Sequence, residues 1–126
     1  MKRKKSLQAL TKAEEEIMQI IWEKERCLVR DIIEHLGNPE IPHSTVSSVV
    51  RILEKKGFVH HKAYGKTHEY FPLISKEEYA QFGIKSLLEN YFEGSSKQLV
   101  SFLVQKNDLN LKELNELLKS LNNPKI

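Results

Sequence analysis

The feature that most constrains the fold is an order of patterns: three short helical segments are followed by two β-rich runs around a glycine. The stretch Thr11-Lys12-Ala13-Glu14 has the form of a capping box, in which the threonine hydroxyl and the glutamate carboxylate pair with backbone N–H groups. It predicts a first helix over about residues 12–25. A second helix is predicted at about residues 28–36, ending at Gly37-Asn38-Pro39 because proline cannot continue a helix.

The third helical pattern begins at Pro42-His43-Ser44 and ends at Gly57, with apolar residues at helical spacing on its buried side. Two runs of strand-forming residues, 58–64 and 67–72, then flank Gly65-Lys66 and predict a β-hairpin. Three helices followed by a hairpin is the order of a winged helix-turn-helix, whose third helix enters the DNA major groove. We therefore predict a mostly α fold with a small β-hairpin wing.

The polar side of the predicted third helix carries short hydroxyls and one guanidinium, which can hydrogen-bond to base edges and phosphates. A solvated polar helix face would account for the same residues, but the basic pair Lys55-Lys56 and the basic hairpin that follow favour DNA. Flexible ammonium groups on the hairpin are expected to contact phosphates without reading bases. The candidate DNA-binding residues are His43, Ser44, Thr45, Ser47, Ser48, Arg51, Lys55, Lys62 and Lys66.

The distribution of charge supports this assignment. The net charge of +3 is weak evidence for nucleic acid by itself. Residues 1–74, however, hold 13 Lys and Arg against 10 Asp and Glu, whereas residues 75–126 hold 7 of each. All of the excess positive charge therefore lies in the first part of the chain, with one dense cluster at residues 2–5.

Residues 75–126 show no strand pattern and predict three helices, over about residues 76–92, 95–106 and 110–122. Short helices with this many apolar residues cannot bury them alone, so a second copy of the chain is the natural partner. We predict a DNA-binding domain over 1–74 and a helical dimerisation domain over 75–126. The candidate dimerisation residues are Tyr79, Phe82, Leu87, Leu88, Tyr91, Phe92, Leu99, Phe102, Leu103, Leu114, Leu117, Leu118 and Leu121.

Other classes of protein have little support. No glycine-rich phosphate loop and no catalytic motif of the metalloprotease or serine-hydrolase type occurs, so we predict no catalytic residues and no cofactor. The longest apolar runs are too short to span or anchor in a membrane, which predicts a cytoplasmic protein without direct membrane binding. The single cysteine, Cys27, excludes an internal disulfide and is expected to be a small, half-buried apolar residue.

The histidines invite a metal hypothesis, because His60, His61 and His68 all lie in the predicted hairpin. Adjacent residues of a strand point to opposite faces, so His60 and His61 are not expected to ligate one ion together. We therefore predict no metal site.

The sequence resembles the family of penicillinase-type repressors, BlaI, MecI and CopY. The similarity covers nearly the whole chain, and its order and spacing are more specific than any one stretch. The matching stretches are Leu10-Thr11-Lys12-Ala13-Glu14, Trp22-Glu23, Val29-Arg30-Asp31-Ile32-Ile33, Ser44-Thr45-Val46, Leu53-Glu54-Lys55-Lys56-Gly57-Phe58, and Tyr70-Phe71-Pro72-Leu73-Ile74-Ser75-Lys76-Glu77-Glu78-Tyr79.

The resemblance implies a homodimer that binds double-stranded operator DNA of palindromic sequence and blocks a promoter. It also implies a membrane-bound metalloprotease sensor as partner, which triggers cleavage in the dimerisation region and so relieves repression. In the β-lactam-responsive members the cut falls between Asn and Phe, and the pair that aligns with it here is Phe102-Leu103. The copper-responsive members carry a cysteine-rich tail that this chain lacks, which disfavours copper sensing.

Two departures from the family pattern bear on function. The candidate cleavage pair differs from Asn-Phe, and Ile52 stands where the family usually has arginine, so the operator sequence is expected to differ. The main alternative from another class is a winged-helix adaptor that binds proteins and not DNA. Such an adaptor would not need the hydroxyl and arginine face beside Lys62 and Lys66.

Overall fold

The computed structural model describes residues 7–106 and 108–122, so the basic cluster at residues 2–5 lies outside the described residues. It confirms the predicted fold class: six helices and one two-stranded antiparallel hairpin, in the predicted order. The elements are α1 Lys12–Lys24, α2 Val29–Leu36, α3 His43–Lys55, β1 Val59–Tyr64, β2 Thr67–Pro72, α4 Lys76–Tyr91, α5 Ser96–Gln105 and α6 Leu111–Asn122.

The predicted capping box forms at the start of α1. The Thr11 hydroxyl accepts from the Glu14 backbone N–H at 3.2 Å, and the Thr11 N–H donates to Glu14 Oε1 at 2.9 Å. At the C-terminal end of α2, Gly37 adopts a φ of 65°, the left-handed conformation that glycine allows at a helix end. Local signals thus set the ends of α1 and α2 where the sequence predicts them.

The hairpin forms around Gly65-Lys66 with Tyr64 paired to Thr67. Gly65 has a φ of 65° and Lys66 does not have a positive φ, the combination of a type II′ turn, in which glycine is required at the first central position. Cys27, in the loop before α2, forms an isolated β-bridge with Tyr70 of β2. The two residues exchange backbone hydrogen bonds of 3.0 and 2.8 Å. This bridge fixes β2 against the entry to α2.

The hydrophobic core lies between α1, α2, α3 and the hairpin. Eight of its side chains are almost wholly inaccessible to solvent: Phe58, Met18, Ile21, Ile32, Leu53, Val46, Val50 and Val59. Cys27 is also buried, more completely than expected, and burial raises the pKa of its thiol to about 11, so it stays protonated at neutral pH. The first three helices and the wing therefore close a complete core.

The chain divides into two compact units, Met1–Gly83 and Ile84–Ile126, so the division falls inside α4. The first turn of α4 belongs to the first unit, where the Tyr79 hydroxyl accepts from the Leu10 N–H at 2.9 Å and its ring packs against Trp22 and Phe58. The predicted domain boundary at residue 74 concerns independent folding and stays a prediction.

The second unit has capped helices but little interior. Ser95 caps α5 by accepting from the Gln98 N–H at 3.0 Å, and Asn110 caps α6 by accepting from the Glu113 N–H at 2.7 Å. No residue of α5 is buried. The large exposed apolar side chains of the second unit are Ile84, Leu87, Tyr91, Phe102, Leu111, Leu117, Leu118 and Leu121.

Candidate DNA-binding surface

Helix α3 separates an apolar side from a polar side, as predicted. Val46, Val50 and Leu53 are fully buried and fasten the helix to the core. The residues predicted to contact DNA are instead accessible: Ser47 is half-buried, and the exposed ones are His43, Ser44, Thr45, Ser48, Arg51 and Lys55. Helical spacing places Ser44, Ser48, Arg51 and Lys55 on the side opposite the buried valines. This arrangement leaves one polar face of α3 accessible to solvent.

An open cleft joins this helix face to the wing. Its walls come from the start of α2, from α3 and from the tip and first residues of β2. His43, Ser47 and Arg51 line it from α3, and Lys66 lines it from the hairpin turn. Within α3, Ser47 Oγ lies 3.4 Å from His43 Nδ1, so these two side chains hydrogen-bond to each other. Four of the predicted residues, two of them cationic, therefore meet on one concave surface.

Six further residues line the same cleft, among them Arg30, Thr67 and His68, and none of the six was predicted from the sequence to bind DNA. Arg30 lies in the first turn of α2, and Thr67 and His68 begin β2. In a helix-turn-helix the helix before the recognition helix crosses the DNA backbone, so a basic residue at its start was a usable signal for Arg30. Thr67 and His68 carried no such signal, because their position depends on the hairpin register.

Lys62 does not line this cleft. It pairs across the hairpin with Glu69, and strand alternation places it on the other face from His61 and His68. Its ammonium lies 5.5 Å from the centre of the Tyr64 ring. Of the two hairpin lysines in the predicted set, the structure thus brings only Lys66 to the recognition helix.

Lys56, the second member of the basic pair after α3, is turned inward. Its Nζ donates to both carboxylate oxygens of Glu14, at 2.8 and 3.1 Å. Burial alone would raise the pKa of Glu14, but the hydrogen bonds from Lys56 and from the Thr11 backbone outweigh it and lower that pKa. Lys56 therefore ties the end of α3 to the start of α1, and its neighbour Lys55 is exposed beside the other candidate DNA-binding residues.

The expectation that strand alternation keeps the His60 and His61 side chains apart is wrong, because one ring nitrogen of each approaches the same carboxylate oxygen. His60 Nδ1 lies 3.0 Å and His61 Nδ1 lies 2.8 Å from the same oxygen, Glu54 Oε2. Both residues stand at the beginning of β1, directly after the turn from α3, so both rings reach the last turn of that helix. The two hydrogen bonds lower the pKa of Glu54 although burial raises it.

In the second unit, the structure places the candidate cleavage pair within α5. Phe102 is 44% exposed and packs its ring edge-on against Phe92, at 5.6 Å between ring centres, whereas Leu103 is half-buried. Tyr79 and Phe82, two of the candidate dimerisation residues, stack on each other within the first unit. No helix in the described parts of the chain is long and apolar enough to cross a membrane.

The winged helix-turn-helix class is defined by three helices that close a core, an exposed polar face on the third helix, and a β-hairpin that follows it. Here the hairpin tip and the third helix line the same cleft. The chain belongs to the penicillinase repressor family, whose model matches residues 10–123. This confirms the family resemblance drawn from the sequence.

Individual relatives agree with this assignment. The methicillin resistance regulatory protein MecI of Staphylococcus aureus strain N315 is 30% identical over 114 residues, which cover 90% of this chain and 93% of MecI. The penicillinase repressor of Bacillus licheniformis is 25% identical over 118 residues, covering 93% of this chain and 92% of that protein. The solution structure of the DNA-binding domain of the repressor BlaI superposes with a TM-score of 0.53 at 26% identity, covering 60% of this chain and 93% of that domain.

Proposed function

We propose that this chain is a DNA-binding transcriptional repressor that binds a palindromic operator as a homodimer. The observation that carries the proposal is the cleft in which Arg51 and Ser47 of α3 face Lys66 of the hairpin turn. Guanidinium and hydroxyl groups on one helix face can read base edges, while an ammonium at a wing tip neutralises a phosphate. Membership of a repressor family with a structurally characterised DNA-binding domain supports the same function.

Each side chain in this proposal has a separate role. Arg51 is the residue able to pair bidentately with a guanine, and Thr45, Ser44 and Ser48 contact bases or phosphates with their hydroxyls. Lys66 and the exposed Lys55 contact phosphates. His43 and Ser47 line the cleft between helix and wing. In this arrangement α3 determines the sequence that is bound, and the wing contributes affinity that does not depend on sequence.

We propose that the second unit holds two copies together. Its exposed leucines and aromatic residues, among them Tyr91 at 75% and Leu121 at 68% exposure, are more apolar surface than helices of this length leave in water without a partner. Two recognition helices joined in this way bind two half-sites, and tethering raises affinity by a factor on the order of 100 to 10,000. Repression therefore depends on dimerisation.

Because repression depends on the dimer in this proposal, we propose that cleavage at Phe102-Leu103 relieves repression. The bond lies inside α5, so a protease must first unfold the helix locally. Cleavage there removes α6 and its apolar residues from the rest of the chain. We propose a membrane-bound metalloprotease sensor, which the resemblance to the penicillinase repressors implies, as the partner that triggers this cleavage. Truncation of the chain after Phe102 should yield a monomer with weakened operator binding, and a truncated chain that stays dimeric and binds as tightly as before would exclude the mechanism.

The primary experiment is a fluorescence anisotropy titration with labelled duplex from the region upstream of the gene that encodes this chain. A random duplex of equal length and composition is the control. We expect saturable binding to the upstream duplex that is at least about 1,000-fold tighter than to the control at physiological salt. Equal affinity for both duplexes, or no binding at low salt, would contradict the proposal and favour a protein-binding adaptor.

A further inference from the structure

The described residues contain one group of three potential metal ligands, none of which has a role in the proposed DNA binding: Glu54 in the last turn of α3 and His60 and His61 at the start of β1. Each can offer one ligand atom, and these atoms lie within 4.8 Å of one another. The His61 ring also stacks on the His68 ring, at 4.1 Å between ring centres, which holds its orientation. Glu54 and His61 are half-buried, whereas His60 is exposed and can rotate.

We propose that Glu54, His60 and His61 form a binding site for a divalent transition-metal ion of the zinc class. Two imidazoles and one carboxylate are a ligand set that Zn²⁺ uses when one coordination position stays open to water. In a tetrahedral site with bonds near 2.0–2.1 Å the ligand atoms lie about 3.3 Å apart. The two Nδ1 atoms already stand at 3.0 and 2.8 Å from Glu54 Oε2, so small side-chain rotations produce the required spacing.

The hydrogen bonds in the cluster define what must change when a metal binds. An ionised carboxylate only accepts hydrogen bonds, so each Nδ1 donates its proton to Glu54 Oε2. A metal ligand needs the Nδ1 lone pair, and each ring meets this need by carrying its proton on Nε2 instead. This tautomer change alters no net protonation of a neutral imidazole. The ion then replaces two N–H donors on one carboxylate oxygen, so the charge of Glu54 stays compensated.

The position of the cluster gives the site a structural consequence. Its ligands come from two elements, so a bound ion would cross-link the end of α3 to the start of the hairpin. Arg51 lies one helical turn before Glu54, and β1, which begins at Val59, leads to the wing tip. Because an ion that binds only the folded state stabilises it by mass action, loading should raise the thermal unfolding temperature.

The test is calorimetric titration of the full chain with ZnCl₂ in a buffer that does not chelate, with the Glu54→Gln and His60→Gln/His61→Gln variants beside it. His35→Gln is the matched control, since His35 also faces a glutamate, Glu23, but at 3.9 Å and as a single imidazole. We expect one Zn²⁺ per chain for the unsubstituted protein and the control, and at least tenfold weaker binding in both cluster variants. Circular dichroism in the absence of zinc checks that all variants are folded.

Two further readouts make the outcome decisive. Co²⁺ should give visible absorption bands of a tetrahedral complex in the unsubstituted protein and in His35→Gln, and not in the double histidine variant. Zinc should raise the unfolding temperature of the first two proteins only. Absence of binding by the unsubstituted chain, or equal binding by the folded double variant, would overturn the proposal and assign any affinity to other surface groups.

Discussion

The two units of this chain use apolar residues in opposite ways. In the first, Phe58, Ile32 and Leu53 are wholly buried, and the exposed residues of the candidate DNA-binding surface are polar or cationic. In the second, Tyr91, Leu111 and Leu121 are each at least 66% exposed. A core that closes within one chain supports folding of that chain, whereas an apolar face left open supports association with another. We therefore propose that the first unit recognises DNA and that the second unit forms the dimer.

The largest expected effect on stability is at the centre of the first core. Phe58→Ala removes a fully buried ring that packs edge-on against Tyr79 and should lower the free energy of unfolding by about 3–5 kcal/mol. Urea denaturation followed by circular dichroism measures this loss. Sedimentation of the folded variant should show unchanged association, and dissociation caused by Phe58→Ala would mean that the two roles are not separate.

A smaller loss is expected for the internal ion pair. Lys56→Met leaves the buried carboxylate of Glu14 without its cationic partner and should cost roughly 2 kcal/mol. Lys62→Met, at an exposed lysine in the same unit, is the control and should change stability little. Equal stability of both variants would contradict the internal pairing of Lys56 with Glu14 and make Lys56 a new candidate for DNA contact.

The recognition surface should divide into specific and non-specific contributions. Arg51→Ala should weaken operator binding by about 1–3 kcal/mol and leave binding to random DNA less affected, because a base contact is lost. Lys66→Ala should weaken binding to operator and to random DNA alike. It should also reduce the slope of log affinity against log salt concentration by about 1. Lys62→Ala should have a smaller effect than Lys66→Ala, since Lys62 lies outside the cleft. Anisotropy titrations at several salt concentrations distinguish these results, and a change of sequence preference caused by Lys66→Ala would reverse the assigned roles.

The smallest effect is a dependence of stability on acid. The pKa of Glu14 is lower in the folded chain than its ordinary value of 4.5, so the ionised carboxylate contributes stability that is fully present above pH 4.5. That contribution is lost as the pH falls through the folded-state pKa. The stability difference between the unsubstituted chain and Glu14→Gln should therefore be constant near neutrality and shrink below pH 4.5. A difference that grows in acid would contradict the Glu14–Lys56 pairing.

Local sequence signals predicted most of the fold because the elements of the first unit are short and clearly delimited. The capping box at Thr11, the glycine at 37 and the Gly65-Lys66 turn each act through their immediate neighbours, and each forms as predicted. The backbone bridge between Cys27 and Tyr70 was not predicted, because a pairing between distant single residues leaves no periodic pattern in the sequence.

The candidate site was predicted from the sequence to a lesser degree. The face of α3 followed from helical spacing, but Lys55 and Lys56 look equivalent in the sequence, and only the packing of α3 on α1 turns Lys56 inward. Alternation along a strand was likewise an incomplete guide for His60 and His61. It describes where side chains leave the backbone and not where flexible rings reach when a helix end lies beside both residues.

The central claim is that recognition lies in the first unit and dimerisation in the second. Its most direct test is the double variant Leu117→Glu/Leu121→Glu, which charges two exposed apolar positions of α6 and should not disturb the fold of either unit. Lys119→Glu changes the net charge equally on the opposite side of the same helix and is the matched control.

Sedimentation velocity and operator titration on the same samples give the answer. We predict that the double variant is a folded monomer whose operator affinity is lower by a factor on the order of 100 to 10,000, while the control stays dimeric and binds like the unsubstituted chain. A double variant that remains a dimer, or a monomer that binds the operator as tightly as the dimer, would contradict the account.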